Sequence, residues 1–251
     1  ESLAIPAQVR VWNEHESPFD RIVQALKDRG VESGTVAVES TTRFFIVDGV
    51  RKASCKLELV SGDAYVRACR MVKSPAELAL MQVANEVVIR AIAHARDNIA
   101  KGMSSAEVNA LVSSAIAALG GDDGGGLVLL NEASAYPHGS RQKQSVREGS
   151  IILLDCGCDV HGYKADISRT WVFGEPSAKQ RKVWDTVKRG QEIALETAKV
   201  GVALGAIDDA VRAYYEREGW GPGYRLPGLS HRTGHGIGME GHEPANLVHA
   251  E

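Results

Sequence analysis

The pattern of apolar and polar positions singles out one hairpin in this chain. Residues 151–158 are apolar and β-branched, residues 163–173 alternate with aromatic and β-branched side chains, and the polar, glycine-containing segment 159–162 separates them. This pattern predicts two antiparallel strands joined by a short turn. Asp155 breaks the first strand with a carboxylate at a position where burial would disfavour a charge. The hairpin is therefore the first place to look for chemistry.

The hairpin predicts a pair of facing carboxylates. With the turn centred between Val160 and His161, Asp155 lies directly opposite Asp166. Opposed side chains on antiparallel strands hold their Cβ atoms about 4.5–5.5 Å apart, and like charges there repel, so the two carboxylates would need a cation or a shared proton. A second interpretation, with one aspartate at a strand end or in the turn, stays open here, because a one-residue slip would change the pairing.

Helical patterns flank the hairpin on both sides. We predict helices from Ser74 to Gly102, from Ser104 to about Leu119, from Ser177 onward, and over residues 205–218. The first three begin with Ser followed by Glu or Gln three residues later, which is a capping box. Residues 120–126 are rich in glycine and predict a flexible loop before a buried strand at residues 127–130. A duplicated helix–helix–strand plan would place an antiparallel sheet under four helices.

Residues 1–70 have a weaker pattern, with a helix predicted over residues 17–29 and strands over residues 34–38 and 43–47. So few elements would not close a core by themselves. We expect this segment to be the tail of an N-terminal α/β domain whose beginning is absent, followed by a second domain at residues 71–251.

Composition narrows the class of protein. The chain has 251 residues, 44% hydrophobic and 24% charged, with a formal net charge of -3 and no clustered Lys and Arg, so neither nucleic acid nor an anionic membrane is expected as a partner. No apolar run reaches the ~20 residues of a membrane helix. The four cysteines lack zinc-site spacing and disulfide density, which favours a cytoplasmic location. Strand alternation places two of them, Cys156 and Cys158, on the face opposite Asp155, as packing residues.

A second group of polar residues follows the helices. Residues 231–244 contain four glycines and three histidines, which are His231, His235 and His242. The glycines argue against a helix and let the backbone approach an ion or substrate closely. Because imidazole is a common metal ligand and titrates near neutral pH, this extended segment is a candidate for joining the aspartates in one site.

Taken together, these motifs resemble the pita-bread metallopeptidases, and among them the Xaa-Pro dipeptidases (prolidases) and Xaa-Pro aminopeptidases. The resemblance rests on Asp155 and Asp166 eleven residues apart, the His231 to Glu243 segment, the Lys73-Ser-Pro-Ala-Glu77 helix start and the sequence Tyr136-Pro-His138. It covers most of the chain. It implies an α+β, creatinase/aminopeptidase-like fold with pseudo-two-fold helix–helix–sheet halves, preceded by a remnant of an α/β domain.

The resemblance also implies a role for each site residue. Asp155 would bind one ion of a dinuclear site, Asp166 would bridge both ions, and His235 would bind the other. His138 and His242 would lie on the substrate side and stabilise the tetrahedral intermediate, and His231 would contact substrate. Two divalent ions, Mn²⁺ first and Zn²⁺ or Co²⁺ as alternatives, would lower the pKa of a bridging water and polarise the scissile carbonyl.

This sequence departs from the family pattern at its end. The resemblance implies five protein ligands, the last two being glutamates on later strands, and the chain stops before either strand. Glu240, Glu243 and Glu251 are not promoted to ligands. We expect, in this order, that the C-terminal piece is a separate chain, that the remainder is absent, or that the protein is truncated. We also expect a homodimer, as in related enzymes.

The leading hypothesis is hydrolysis of the peptide bond before proline in dipeptides or short peptides. The alternatives are an Xaa-Pro aminopeptidase acting on longer peptides, a non-peptidase hydrolase or lyase on the same fold, and a catalytically inactive binding module. Metal-free and inactive relatives lose acidic ligands, whereas Asp155, Asp166 and His235 are all present. This favours the enzyme.

Overall fold

The computed structural model describes residues 7–249. The chain divides into two compact units, Glu1–Arg70 and Met71–Glu251. Each unit has its own hydrophobic core.

The first unit is a small α/β layer. Its elements are α1 (Pro18–Lys27), β1 (Gly34–Val38), α2 (Phe44–Ala53), β2 (Leu57–Ser61) and α3 (Asp63–Met71). Strands β1 and β2 pair in parallel, as expected when a helix connects two neighbouring strands. The Ser17 hydroxyl accepts a hydrogen bond from the Asp20 N–H and caps α1, where the sequence predicted a helix.

The predicted strand over residues 43–47 is wrong, because these residues begin helix α2. Aromatic and β-branched residues gave this stretch its strand propensity, but packing overrides propensity. Val50 and Ala53, about one helical turn apart, pack with Val23 and Leu57 in the core of this unit. Strand β2 and helix α3 were not predicted at all.

The second unit places helices on an antiparallel sheet. Its elements are α4 (Pro75–Asn98), α5 (Ser105–Ala118), β3 (Asp122–Leu130), a 3₁₀ helix (Asn131–Ala135), β4 (Ile151–Val160), β5 (Tyr163–Val172), α6 (Ala178–Thr197), α7 (Leu204–Arg217), β6 (Gly234–Gly236) and β7 (Glu243–Leu247). Strands β3, β4 and β5 form one sheet in that order, and β6 pairs with β7. The four predicted helices are therefore confirmed.

Capping boxes set the starts of three of these helices. The hydroxyls of Ser74, Ser104 and Ser177 each accept a hydrogen bond from the backbone N–H three residues later, and the Glu or Gln side chain there accepts one from the backbone N–H of the serine. These reciprocal bonds satisfy backbone donors that a helix start leaves unpaired. The signal is local, which is why the sequence alone located it.

Helices α4 and α5 cover one face of the sheet. The inward side chains of β4, which include Ile152, Leu154 and Cys156, are buried against Val88 of α4 and Ile116 of α5. By length and composition alone, α4 could also cross a membrane. Its apolar face instead forms part of this core, as in a buried helix of a globular unit.

The glycine-rich segment is not the loop that we predicted. It belongs to β3, which pairs with β4 through an irregularity between Asp122 and Gly125. A Cβ atom on Gly126 would overlap the carbonyl oxygen of Asp155, and one on Gly124 would overlap the Ile116 side chain. The glycines therefore serve a close approach of β3 to its neighbours rather than flexibility.

Candidate metal centre

The hairpin forms as predicted, but its register differs. Asp155 pairs with Ser168, and Asp166 pairs with Gly157. The turn is formed by His161 (φ 51°) and Gly162 (φ 87°), the two positive φ angles of a tight two-residue hairpin turn. This moves the turn centre one residue later than predicted, so the prediction that the two aspartates are directly opposed is wrong.

The two aspartates nevertheless share one face of the sheet, as diagonal neighbours. A shift of two in the pairing preserves the alternation of side chains. Burial raises the pKa of Asp166, the negative charge of Asp155 raises it further, and His235 and His242 act in the opposite direction. The repulsion inferred from the sequence therefore exists, across a diagonal pair.

Ser168 is a site residue that the sequence did not reveal. Its hydroxyl donates a hydrogen bond of 2.7 Å to Asp155 Oδ1, because it lies directly across the ladder. The bond leaves Asp155 Oδ2 free of this restraint and fixes the orientation of the carboxylate. Only the correct register points to Ser168.

The cysteines of β4 face the other way, as predicted. Cys156 and Cys158 are buried among core side chains. Burial raises the pKa of the Cys156 thiol to about 12, so this thiol stays protonated near neutral pH. The thiols are therefore packing groups and not metal ligands.

Two histidines lie against the second aspartate. His235 on β6 places Nε2 at 3.4 Å from Asp166 Oδ2, and the His235 and His242 rings are 4.2 Å apart between centroids. One ligand atom from each of Asp166, His235 and His242 lies within 4.8 Å of the others. His235 Nδ1 is 2.9 Å from the Gly236 carbonyl oxygen; when Nδ1 carries the proton, it donates there and leaves Nε2 unprotonated, as a metal ligand must be.

The structure does not bring every predicted residue into this cluster. His231 is exposed, and its Nδ1 lies 2.7 Å from the Arg232 carbonyl oxygen. His138 is exposed in the segment after the 3₁₀ helix. Among residues 7–249, the group that could hold a metal consists of Asp166, His235 and His242, with Asp155 beside Asp166. His242, predicted on the substrate side, thus lies close enough to act as a donor too.

A buried ion pair on α7 holds the segment that carries the histidines. Arg212 Nε donates to Asp208 Oδ2 at 2.8 Å, with side chains 9% and 0% exposed. The same guanidinium donates to three backbone carbonyls, those of Gly223, Leu229 and His231. Burial alone would raise the pKa of Asp208, but hydrogen bonds from Arg212 and Thr233 bring it below its ordinary value. Asp208 is thus a buried anion.

The sequence contains one signal for this ion pair, which our predictions did not include. Asp208 and Arg212 are four residues apart, so they share a helix face, and the apolar residues Ile207 and Val211 lie beside them. Opposite charges at that spacing, next to apolar residues, indicate an ion pair at the buried face of the helix. The carbonyls that Arg212 binds could not be predicted, because they belong to an irregular segment.

Carboxylate and imidazole donors gathered on one face of an antiparallel sheet define a candidate site for divalent metal ions. The chain belongs to metallopeptidase family M24, whose model matches residues 79–251. That family uses divalent metal ions, and the donor set found here fits them.

Individual relatives agree with this assignment. The chain is 28% identical over 227 residues to an Xaa-Pro dipeptidase of Pyrococcus furiosus, covering 90% of this chain and 63% of the relative. It is 29% identical over 227 residues to an Xaa-Pro dipeptidase of Pyrococcus horikoshii, covering 90% and 61%. The chain therefore spans less than two thirds of the length of these relatives.

Solved structures show the same fold. An X-Pro aminopeptidase from Thermotoga maritima superposes with a TM-score of 0.82 at 28% identity, covering 94% of this chain and 66% of the other. A prolidase from Pyrococcus furiosus gives a TM-score of 0.81 at 26% identity, covering 93% and 67%. The predicted pita-bread fold is confirmed.

Proposed function

We propose that the protein is a metal-dependent peptidase that hydrolyses the peptide bond before proline. The observation that carries this proposal is the convergence of Asp155 and Asp166 from the hairpin with His235 and His242 from a segment about seventy residues later. Dipeptidase relatives at 28–29% identity support the substrate class.

The donors suit two divalent ions. Asp155 and Asp166 would supply carboxylate oxygens and His235 an imidazole nitrogen, with two further glutamates expected to complete the set. Like charges on neighbouring side chains are costly unless a cation lies between them. Asp155 and Asp166 are such a pair of neighbouring carboxylates, so a bound cation would remove this cost. Mn²⁺ is the ion we propose, with Zn²⁺ and Co²⁺ as alternatives, since mixed oxygen and nitrogen ligands do not discriminate sharply among them.

The bound ions would supply an activated water near neutral pH and polarise the carbonyl under attack. The residues of this chain have separate tasks. Ser168 orients the Asp155 carboxylate through its hydrogen bond. His242 is exposed next to the donor cluster, so its imidazole can donate a hydrogen bond to a substrate oxygen as negative charge develops there. We propose His138 and His231 as further substrate contacts.

Proline explains why a dedicated enzyme would be needed. Its nitrogen has no hydrogen and its φ is fixed near −65°, so a substrate with proline after the scissile bond cannot form the backbone hydrogen bonds of an ordinary extended-strand cleft. A pocket that selects the ring would replace them.

The test is a hydrolysis assay on full-length protein with a panel of Xaa-Pro dipeptides and matched Xaa-Ala dipeptides, with and without Mn²⁺. We expect metal-dependent release of proline, abolished by chelation. Absence of proline release from any substrate with Mn²⁺ present would refute the proposal.

An aminopeptidase is the second candidate, favoured by the likeness to the Thermotoga maritima structure. Tripeptides of the form Xaa-Pro-Xaa separate the two. Cleavage of the tripeptides with little cleavage of dipeptides would assign the aminopeptidase activity instead.

A further inference from the structure

We propose that the ion pair between Lys73 and Glu243 is a positioning device that holds His242 beside His235, within the cluster of candidate metal donors. The inference rests on the proposed metal site. The proposed function gives Lys73 and Glu243 no role as metal ligands or substrate contacts, so they would act through the residues that they hold.

The pair is short and buried. Lys73 Nζ lies 2.8 Å from Glu243 Oε2, and the two side chains are 12% and 1% exposed. The other carboxylate oxygen, Glu243 Oε1, accepts hydrogen bonds from the backbone N–H groups of Met239 (3.0 Å) and Glu240 (3.3 Å). Both carboxylate oxygens of Glu243 therefore have partners, and the carboxylate bridges Lys73 to the backbone of residues 239 and 240, which precede His242.

The neighbouring side chain is exposed. His242 directly precedes Glu243, the first residue of strand β7. Glu243 is buried against Lys73, whereas His242 is exposed, and its ring lies 4.2 Å from that of His235. Anchoring Glu243 therefore anchors the residue next to it.

Two further hydrogen bonds tie the same elements together. The Lys164 N–H of β5 donates to the Gly238 carbonyl at 2.8 Å, and the Tyr163 hydroxyl donates to Glu77 Oε1 of α4 at 2.7 Å. With the Lys73–Glu243 pair, these bonds form a closed ring of three elements, the start of α4, the start of β5 and loop 238–243, which we name the clamp. Asp166 follows two residues after Lys164 on β5, so the clamp relates His242 to the strand that carries Asp166.

Stability alone is a poor explanation for the pair. A buried ion pair contributes little net stability compared with apolar groups of the same volume, because desolvation offsets the attraction. What the pair adds is position, since Lys73 Nζ and two backbone N–H groups together fix the Glu243 carboxylate. Gly238 leaves room for the pair: a Cβ there would lie 2.8 Å from both Lys73 Cε and Glu243 Oε2.

The test uses the substitution Glu243→Gln in full-length protein. The amide keeps the shape but loses the charge that Lys73 faces, so loop 238–243 should relax. We expect Mn²⁺ affinity, measured by titration calorimetry, and kcat each to fall about 10- to 100-fold, as for groups that orient metal ligands, with a smaller change in KM. The absorption spectrum of the Co²⁺-loaded protein should shift.

Lys73→Met tests the other partner, and the double variant Lys73→Met/Glu243→Gln tests whether the two act as a unit. We expect the double variant to lose no more Mn²⁺ affinity than the worse single variant. The matched control is Glu192→Gln, which removes a carboxylate from an exposed pair with Lys188 and should leave affinity and kcat within about twofold.

The proposal would be overturned if Glu243→Gln lowered only the melting temperature and left Mn²⁺ affinity and the Co²⁺ spectrum unchanged, or if the losses of the single variants summed in the double. Should Glu243→Gln fail to fold, Gly238→Ala displaces the pair while keeping both charges, and the same readouts apply. The metal readouts do not depend on substrate. Wild-type protein that binds Mn²⁺ but releases no proline would refute the proposed function without touching this inference.

Discussion

The hairpin and the histidine segment supply donors to the same cluster but are held in different ways. Strands β4 and β5 pair without interruption from Ile151↔Val172 to Val160↔Tyr163. Strands β6 and β7 pair over a few residues with an irregularity after His235. The ladder places the two aspartates, and Ser168 on β5 orients the Asp155 carboxylate. The histidines depend on ion pairs made by two side chains outside that segment, Arg212 on α7 and Lys73 just before α4.

The contrast indicates a division of roles, in which backbone pairing positions the aspartates and buried ion pairs position the histidines. A ladder positions side chains through many equivalent backbone bonds, so no single side chain decides the geometry. An irregular segment has few such bonds, and each buried ion pair then carries more of the positioning. Substitutions in the two regions should therefore fail in different ways.

The largest expected effect comes from removing one donor of either region. Asp166→Asn and His235→Ala should each lower kcat/KM about 10³-fold or more, because bound metal contributes several kcal/mol of transition-state stabilisation. Steady-state kinetics on an Xaa-Pro dipeptide would measure the loss. Asp159→Asn, which removes a hairpin carboxylate paired with Lys164, should stay within about twofold. Full activity of His235→Ala would separate the histidine segment from the site.

Arg212→Met should remove the hydrogen bonds that hold the histidine segment and leave the pairing of β4 with β5 intact. Removing one partner of a buried pair leaves an uncompensated charge, here Asp208, and should lower the free energy of unfolding by about 3–5 kcal/mol. Urea denaturation measures this, and hydrogen exchange should show a larger loss of protection around residues 223–235 than in β4 and β5. Arg189→Met, in an exposed pair with Glu196, should cost about 0–1 kcal/mol. Equal loss of protection in both regions would contradict the division.

Gly126→Ala is the corresponding perturbation of the hairpin. The added methyl would overlap the Asp155 carbonyl oxygen, and we expect a loss of about 1–3 kcal/mol in unfolding free energy from overpacking. Gly241→Ala is the control, since a Cβ there meets nothing within 4 Å, and it should change stability by less than about 0.5 kcal/mol. If Gly126→Ala matched the control, the close approach of β3 would not matter.

The smallest expected effect concerns the hydrogen bond between hairpin and α4. Hydrogen bonds from Ser74 and then from Tyr163 lower the pKa of Glu77 from 4.5 to about 2. A lowered acid pKa stabilises the fold above the unfolded value, and this contribution disappears as pH falls from about 5 to about 2. Tyr163→Phe should raise the Glu77 pKa and move the loss to higher pH, as followed by carboxyl NMR titration. Tyr65→Phe, at an exposed tyrosine, should leave the Glu77 pKa unchanged.

Local signals account for what the sequence predicted. The capping boxes at Ser74, Ser104 and Ser177 involve residues three positions apart, and the hairpin shows its alternation within twenty residues. The predicted strand at residues 127–130 is the second half of β3. Its first half was predicted as a loop because the glycines there serve tertiary approach, which composition does not distinguish from flexibility. The register was wrong by two because nothing in the sequence showed that His161 adopts a positive φ.

The long-range part of the site was beyond the sequence. Lys73 and Glu243 are 170 positions apart, and the carbonyls bound by Arg212 lie in a segment without periodicity. The six site residues, the domain identities at residues 1–70 and 71–251, the Mn²⁺ preference, the homodimer and the cytoplasmic location stay predictions.

The two-residue turn at His161 and Gly162 has a consequence for how this protein can change over evolution. Substitutions in the turn alter its strain. With a two-residue turn kept, inserting one residue there would shift β5 by one position and turn Asp166 into the hydrophobic core, with Ala165 facing the histidines; deleting one residue would place Ile167 there. Length variation at this tip is therefore far more damaging than its exposure suggests. Among homologous chains that keep the metal site, turn length should stay constant, or change in steps of two, while the identity of residue 161 drifts.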